Sequence, residues 1–164
     1  MNLTRTGIFR IPKDPLQACI RVASGQQLSG RLFLDFALDE TCLHERISGF
    51  LESEQMFFPF VPEGEHKSVF LNKDTLAVLD AEMESSWIEG VLTGDLLKKN
   101  SVAVTMTDGT EIRGELLSEV PEDLVRLSDR INSSSRFMKV MSGKRLYYLN
   151  TTHIARVSET ALQL

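Results

Sequence analysis

The sequence predicts an all-β protein built as two small five-stranded barrels in tandem, and three observations predict it. Tyr148-Leu149-Asn150-Thr151-Thr152-His153-Ile154-Ala155-Arg156-Val157 repeats Phe70-Leu71-Asn72-Lys73-Asp74-Thr75-Leu76-Ala77-Val78-Leu79 position for position, 78 residues apart. Apolar residues alternate with polar ones on either side of turn signals, as half-buried strands require. A glycine, Gly30 in one copy and Gly114 in the other, recurs in the middle of the second predicted strand.

The repeat extends upstream in two more blocks. Gly25-Gln26-Gln27-Leu28-Ser29-Gly30-Arg31-Leu32 matches Gly109-Thr110-Glu111-Ile112-Arg113-Gly114-Glu115-Leu116 at a separation of 84. Arg46-Ile47-Ser48-Gly49-Phe50-Leu51-Glu52-Ser53 matches Arg126-Leu127-Ser128-Asp129-Arg130-Ile131-Asn132-Ser133 at 80. Blocks in the same order, with separations that change only between blocks, are what a duplication with later loop insertions leaves. Two copies are too few for a solenoid, so the reading is two domains of about 80 residues each: a first barrel over 1–82, a connector over 83–99 and a second barrel over 100–164.

The elements follow in order. Residues 1–15 read as an irregular arm ended by Pro12 and Pro15. From Leu16 the pattern turns to strand, with Ile20 and Val22 alternating about polar Arg21. Leu28, Gly30, Leu32, Leu34 and Phe36 alternate over the second. In the second copy Val102, Val104 and Met106 share a face, Asp108-Gly109 is a hairpin turn, and Ile112, Gly114 and Leu116 continue the alternation. Mid-strand glycines weaken a strand, so their recurrence marks a sharp bend with close backbone approach. Leu124-Val125-Arg126-Leu127 reads as a third strand, and 129–135 as a single helical turn or a loop. Phe137-Met138-Lys139-Val140-Met141, matched by Phe57-Phe58-Pro59-Phe60-Val61, reads as a fourth. Pro59 lacks a ladder donor and is expected on an edge. Asn72 and Asn150 each centre the reversal into the last strand, where an Asn side chain bonds the backbone amides that follow. The connector reads as a short helix or a strand extension. Its Trp87, the only tryptophan, is expected to plug the junction between halves.

The formal net charge of −5 argues against a protein that clings non-specifically to nucleic acid or anionic membrane. Arg126, Arg130, Arg136, Lys139, Lys144 and Arg145 nevertheless crowd one stretch against Asp129 alone, and form the candidate RNA-contact set. No stretch has the length of a signal-peptide core or a membrane span, so the expected location is cytoplasmic. Cys19 and Cys42 have no counterparts in the second half, which predicts reduced thiols. His44, His66 and His153 fit no metal-ligand spacing, and neither a phosphate loop nor a nucleophile elbow is present. The expectation is a non-enzyme with no cofactor, no metal and no small-molecule substrate.

A second strand carrying Ile112-Arg113-Gly114-Glu115-Leu116, and a closing pair reading Leu149-Asn150-Thr151-Thr152-His153-Ile154-Ala155-Arg156-Val157, resemble the two signatures of the Sm-like barrels, a branch of the SH3-like small barrels. Arg126-Leu127-Ser128-Asp129 followed by such a pair is similar to bacterial domains of that type. Members of the family assemble through their fourth and fifth strands and bind single-stranded RNA, so the resemblance implies tandem barrels that associate with themselves. Asn150-Thr151 and Asn72-Lys73 stand where the family carries Arg-Gly in its RNA contact. The functional expectation is therefore a cytoplasmic interaction module that binds itself or another protein, with single-stranded RNA as the alternative partner.

Overall fold

The computed structural model describes residues 13–35, 42–93, 98–118 and 126–160. In the first half β1 (Lys13–Val22) and β2 (Gln27–Asp35) form a hairpin, α1 (Leu43–Glu52) follows, and β3 (Phe57–Pro62) and β4 (Val69–Asn72) form a second hairpin. A 3₁₀ turn, Lys73–Thr75, then leads into β5 (Leu76–Glu82). Helix α2 (Ser85–Thr93) links the halves. The second half repeats the plan with β6 (Lys98–Met106), β7 (Glu111–Ser118), α3 (Leu127–Asn132), β8 (Phe137–Ser142), β9 (Arg145–Asn150), a 3₁₀ turn at Thr151–His153, and β10 (Ile154–Glu159).

All ten strands belong to one antiparallel sheet in the order β10-β6-β7-β8-β9-β5-β1-β2-β3-β4. Each half contributes the same permutation, its last strand followed by its first four. The two join where β9 pairs with β5. The sheet is open, ending on β10 and β4, and among the described residues no ladder closes either half into a separate cylinder.

The ladders carry the duplication residue by residue. Ile20 faces Leu79 in the first half, and Val104 faces Val157 in the second. The pairs Phe57↔Asn72 and Phe60↔Val69 recur as Phe137↔Asn150 and Val140↔Tyr147. Even an irregularity is copied: one residue is skipped between Leu76 and Val78 opposite β1, and one between Ile154 and Arg156 opposite β6. Registers of this kind preserve the three sequence separations and place Phe70 as the counterpart of Tyr148.

The mid-strand glycines mark places where two backbones come close. A Cβ on Gly30 would stand 2.2 Å from the Val61 carbonyl oxygen, and one on Gly114 would stand 2.3 Å from that of Met141. Here β2 and β7 press backbone to backbone on the strand that follows. Gly25 and Gly109 take positive φ in the two hairpin turns, as Asp108-Gly109 predicted.

Two hydrophobic clusters fill the interior, and each reaches across the junction. The first, around Ile20, Leu32, Ile47, Leu51, Phe58 and Phe60, also takes in Tyr148 and Phe137 of the second half. The second, around Val102, Val104, Leu116 and Val140, takes in Ala77 and Val78 of the first.

The chain is mostly strand, as the all-β class expects, and several finer expectations are refined. Helix α1 occupies 43–52, because Leu43, Ile47, Phe50 and Leu51 recur at helical spacing and bury Ile47 and Leu51. The third strand expected at 124–127 falls partly outside the described residues, and Leu127 starts α3. Strand β3 is interior, flanked by β2 and β4. Pro59 is tolerated because the β2 ladder stops at Phe60, beyond the reach of its missing donor. The Asn-centred segments do not fold their flanking strands together. Each 3₁₀ turn carries the chain from one ladder to a distant one, β3·β4 to β1·β5 and β8·β9 to β6·β10. The connector is helical over 85–93, and β6 begins at Lys98, two residues inside the expected connector. The expected arm at 1–15 lies outside the described residues up to position 12.

Candidate functional site

Two strands lie at the ends of the sheet, and β4 is the apolar one. Phe70 is 70% exposed, Phe57 50%, Met56 57% and Val69 37%. Phe70 sits opposite Pro59, and Phe57 opposite Asn72, so both rings stand on one face of the β3·β4 hairpin. An unpaired strand backed by exposed aromatic rings is a surface that natural sheets normally blunt with charge or cover.

The equivalent strand of the second half shows what such a surface looks like when it is covered. Tyr148, the counterpart of Phe70, is fully buried against β5 and the first-half helix. Its hydroxyl shares a 2.9 Å hydrogen bond with His44 Nδ1, and the two rings stack with centroids 5.9 Å apart. Burial pushes the phenol's pKa far up, so it stays protonated.

Asn72 and Asn150 each stand at the N-terminal end of a 3₁₀ turn. Asn72 Oδ1 accepts from the Asp74 amide at 2.9 Å, and Asn150 Oδ1 from the Thr152 amide at 3.1 Å. Asn150 adds a bond that crosses the junction, its Nδ2 donating to the Leu76 carbonyl at 2.9 Å. Lys73, next to Asn72, was not singled out by sequence reasoning, yet it is fully buried. Its ammonium donates to the carbonyls of Phe50 and Ser53 and to Ser53 Oγ, at 2.8, 3.0 and 3.0 Å. It caps the C-terminal turn of α1.

The six basic residues do not gather into one patch. Arg130 is buried, with a guanidinium nitrogen bonded to Asn100 Oδ1. Arg136 forms an ion pair with Asp74 across the junction. Arg145 pairs with Asp80 at 2.6 Å, again across it. Lys139 lines a cavity, while Arg126 and Lys144 are exposed. His153 adds a further bridge, its Nε2 lying 2.6 Å from the Asp74 carbonyl oxygen.

Trp87 is partly buried on α2, 5.1 Å from the His44 ring. It lines a cavity of about 620 Å³ with Cys42 and His44 on the first-half side and Leu117, Phe137 and Lys139 on the second. The ring therefore stands beside residues of both halves. Cys19 and Cys42 are both free thiols. Among the described residues there is no group of three His, Cys, Asp or Glu side chains that could hold a metal. No described helix is long and apolar enough to cross a membrane.

No family model, curated protein or solved structure matches the chain.

Proposed function

We propose that the chain is a non-enzymatic interaction module, two Sm-like units fused in tandem, that engages another protein chain through its sheet edge at β4. One observation carries the reading: Phe70 is exposed on β4, a strand with one free edge, beside the exposed Phe57 of β3, whereas its counterpart Tyr148 in the second half is fully buried. Strand addition at such an edge takes affinity from backbone hydrogen bonds and specificity from the side chains between them. Small domains of this size also gain from burial against another chain. In this reading the protein works in the cytoplasm and its partner is itself or another protein. Single-stranded RNA is the weaker alternative, because Arg130, Arg136 and Arg145 are each committed to bonds inside the chain.

Light scattering on the purified chain at micromolar concentration, beside chemical cross-linking in its native cells, tests the reading, with Phe70→Lys as the comparison. Association that Phe70→Lys abolishes is the expected result. A chain that stays monomeric, with a cross-linking pattern unchanged by Phe70→Lys, would overturn it.

A further inference from the structure

Lys139 is a charged residue at a core position of the sheet. Paired residues of adjacent strands share a face, so Leu117 on β7 and Tyr148 on β9 flank it across the ladders, while Phe137 and Met141 flank it along β8. All four are buried. The duplication does not require the charge: the pairings that match Phe57 with Phe137 put Pro59 at the equivalent place in the first half. Among the described residues no hydrogen bond or ion pair engages the Lys139 ammonium. Glu115, diagonal to it on the same face, does not pair with it and leaves one buried carboxylate oxygen without a partner.

Lys139 opens on the cavity between the halves. Its volume of about 620 Å³ falls within the range of small-molecule sites, about 300–1,000 Å³, and such sites favour junctions of this kind. The Trp87 ring, tilted by 36° against His44, and the buried side chains of Phe137 and Leu117 give the cavity an apolar part. Much of the polar lining accepts hydrogen bonds. The hydroxyls of Ser133 and Ser134 both donate to the Arg130 carbonyl, at 3.0 and 3.1 Å, which leaves them only lone pairs to offer. Glu45, in the first turn of α1, has no ion-pair partner among the described residues, whereas Glu52, two turns on, is attracted to the Lys73 ammonium. Lys139 is the one lysine or arginine in the described lining.

We infer that this cavity binds a small zwitterion with an apolar body, a free apolar amino acid or a short apolar peptide, its carboxylate on Lys139, its ammonium at Glu45 and its side chain against Trp87, Phe137 and Leu117. Each end supplies what the lining lacks. A carboxylate gives the Lys139 ammonium an acceptor in apolar surroundings, and an ammonium brings three donors to a wall of carboxylate and hydroxyl oxygens. A ligand with only negative charge would meet Glu45 and Glu52, and one with only positive charge would meet Lys139. The ligand is held and released unchanged. Glu45 belongs to the first half and Lys139 to the second, so the bound molecule ties the two together and stabilises the folded chain. The site is separate from the β4 edge, and its failure would leave that reading untouched.

The test titrates the full chain with leucine and with leucyl-leucine, reading the emission of Trp87, the only tryptophan, beside the thermal unfolding midpoint. A saturable change in emission and a raised midpoint are expected, and the tighter of the two probes fixes the length of the ligand. The N-acetyl and the C-terminal amide forms of that probe, each lacking one charge, are expected to bind at least about tenfold more weakly. Lys139→Met is expected to bind the amide and the parent alike, and Glu45→Gln the N-acetyl form and the parent alike. Thermal unfolding without ligand shows that both variants are folded. No saturable change with either probe up to about 10 mM would overturn the site. So would affinities that both variants leave unchanged, and equal wild-type affinity for the parent and either derivative would overturn the zwitterion.

Discussion

Lys73 Nζ lies 2.8 Å from the Phe50 carbonyl oxygen, at the end of α1. The ammonium is fully buried and is held by two carbonyls and one hydroxyl, which places a lysine from a 3₁₀ turn as the cap of a helix more than twenty residues earlier. Replacing it with methionine keeps the volume and removes the donor, leaving those acceptors unpaired. Lys73→Met is expected to cost about 1–3 kcal/mol in urea unfolding monitored by Trp87 fluorescence.

The same lysine predicts a pH dependence. Burial, reinforced by Arg136, lowers its pKa from the ordinary 10.5. Between that lowered value and 10.5 the unfolded chain binds more protons than the folded one, so this group makes stability rise with pH across the alkaline window. Urea midpoints measured on either side of it are expected to show the rise in wild type and to lack it in Lys73→Met.

The glycines separate two effects of adding one methyl group. Gly114→Ala drives a Cβ into the Met141 carbonyl, and neither backbone can retreat without breaking the β7·β8 ladder. A loss of about 1–3 kcal/mol is expected. Gly49 lies inside α1 with no atom within 4 Å of an added Cβ, and Gly49→Ala is expected to add about 0.5–1 kcal/mol through helix propensity alone. Thermal unfolding of the two variants should move in opposite directions.

These residues also mark how far the sequence can be read. The duplication, the hairpin turns and the mid-strand glycines are legible because local chemistry determines them: an αL turn needs glycine, and two backbones in contact leave no room for Cβ. Helix α1 was obscured because 46–53 matched a second-half block read as a strand end and then a single helical turn or a loop, although Leu43, Ile47 and Leu51 carry a helical period. The burial of Lys73 has no local signature, since a lysine in a polar turn is exposed until a distant helix ends on it. Phe70 and Tyr148 read alike in sequence. Their contrast in exposure depends only on which strand each finds beside it.

Asp108 ties the hairpin turns of the two halves together, 3.6 Å from the Arg21 guanidinium. The Thr110 amide donates to its carboxylate, with Thr110's side chain and Arg21 assisting, and holds its pKa below the ordinary 3.8. Its contribution is present above 3.8 and is lost as pH falls through the folded-state value. Asp108→Asn is expected to lower stability at neutral pH and to flatten the acid limb of a stability profile below 3.8. Matching acid limbs in the two proteins would contradict this.

Among the polar ties across the junction, the Arg136–Asp74 pair is exposed and the Asn150 amide is buried, and physics ranks the two. Arg136 and Asp74 keep 35% and 64% of their side-chain surface in water, so their ion pair is worth at most about 1 kcal/mol and weakens with salt. Asn150 is 1% exposed and holds both the Thr152 amide and the Leu76 carbonyl. Asn150→Ala strips a partner from each in a site that water does not reach, at an expected cost of about 1–3 kcal/mol that salt does not change. Urea unfolding of Arg136→Ala and Asn150→Ala at 0.05 and about 1 M salt checks the ranking. A salt-dependent Asn150→Ala, or an Arg136→Ala loss that exceeds it, would mean the halves are held by charge rather than by the buried amide.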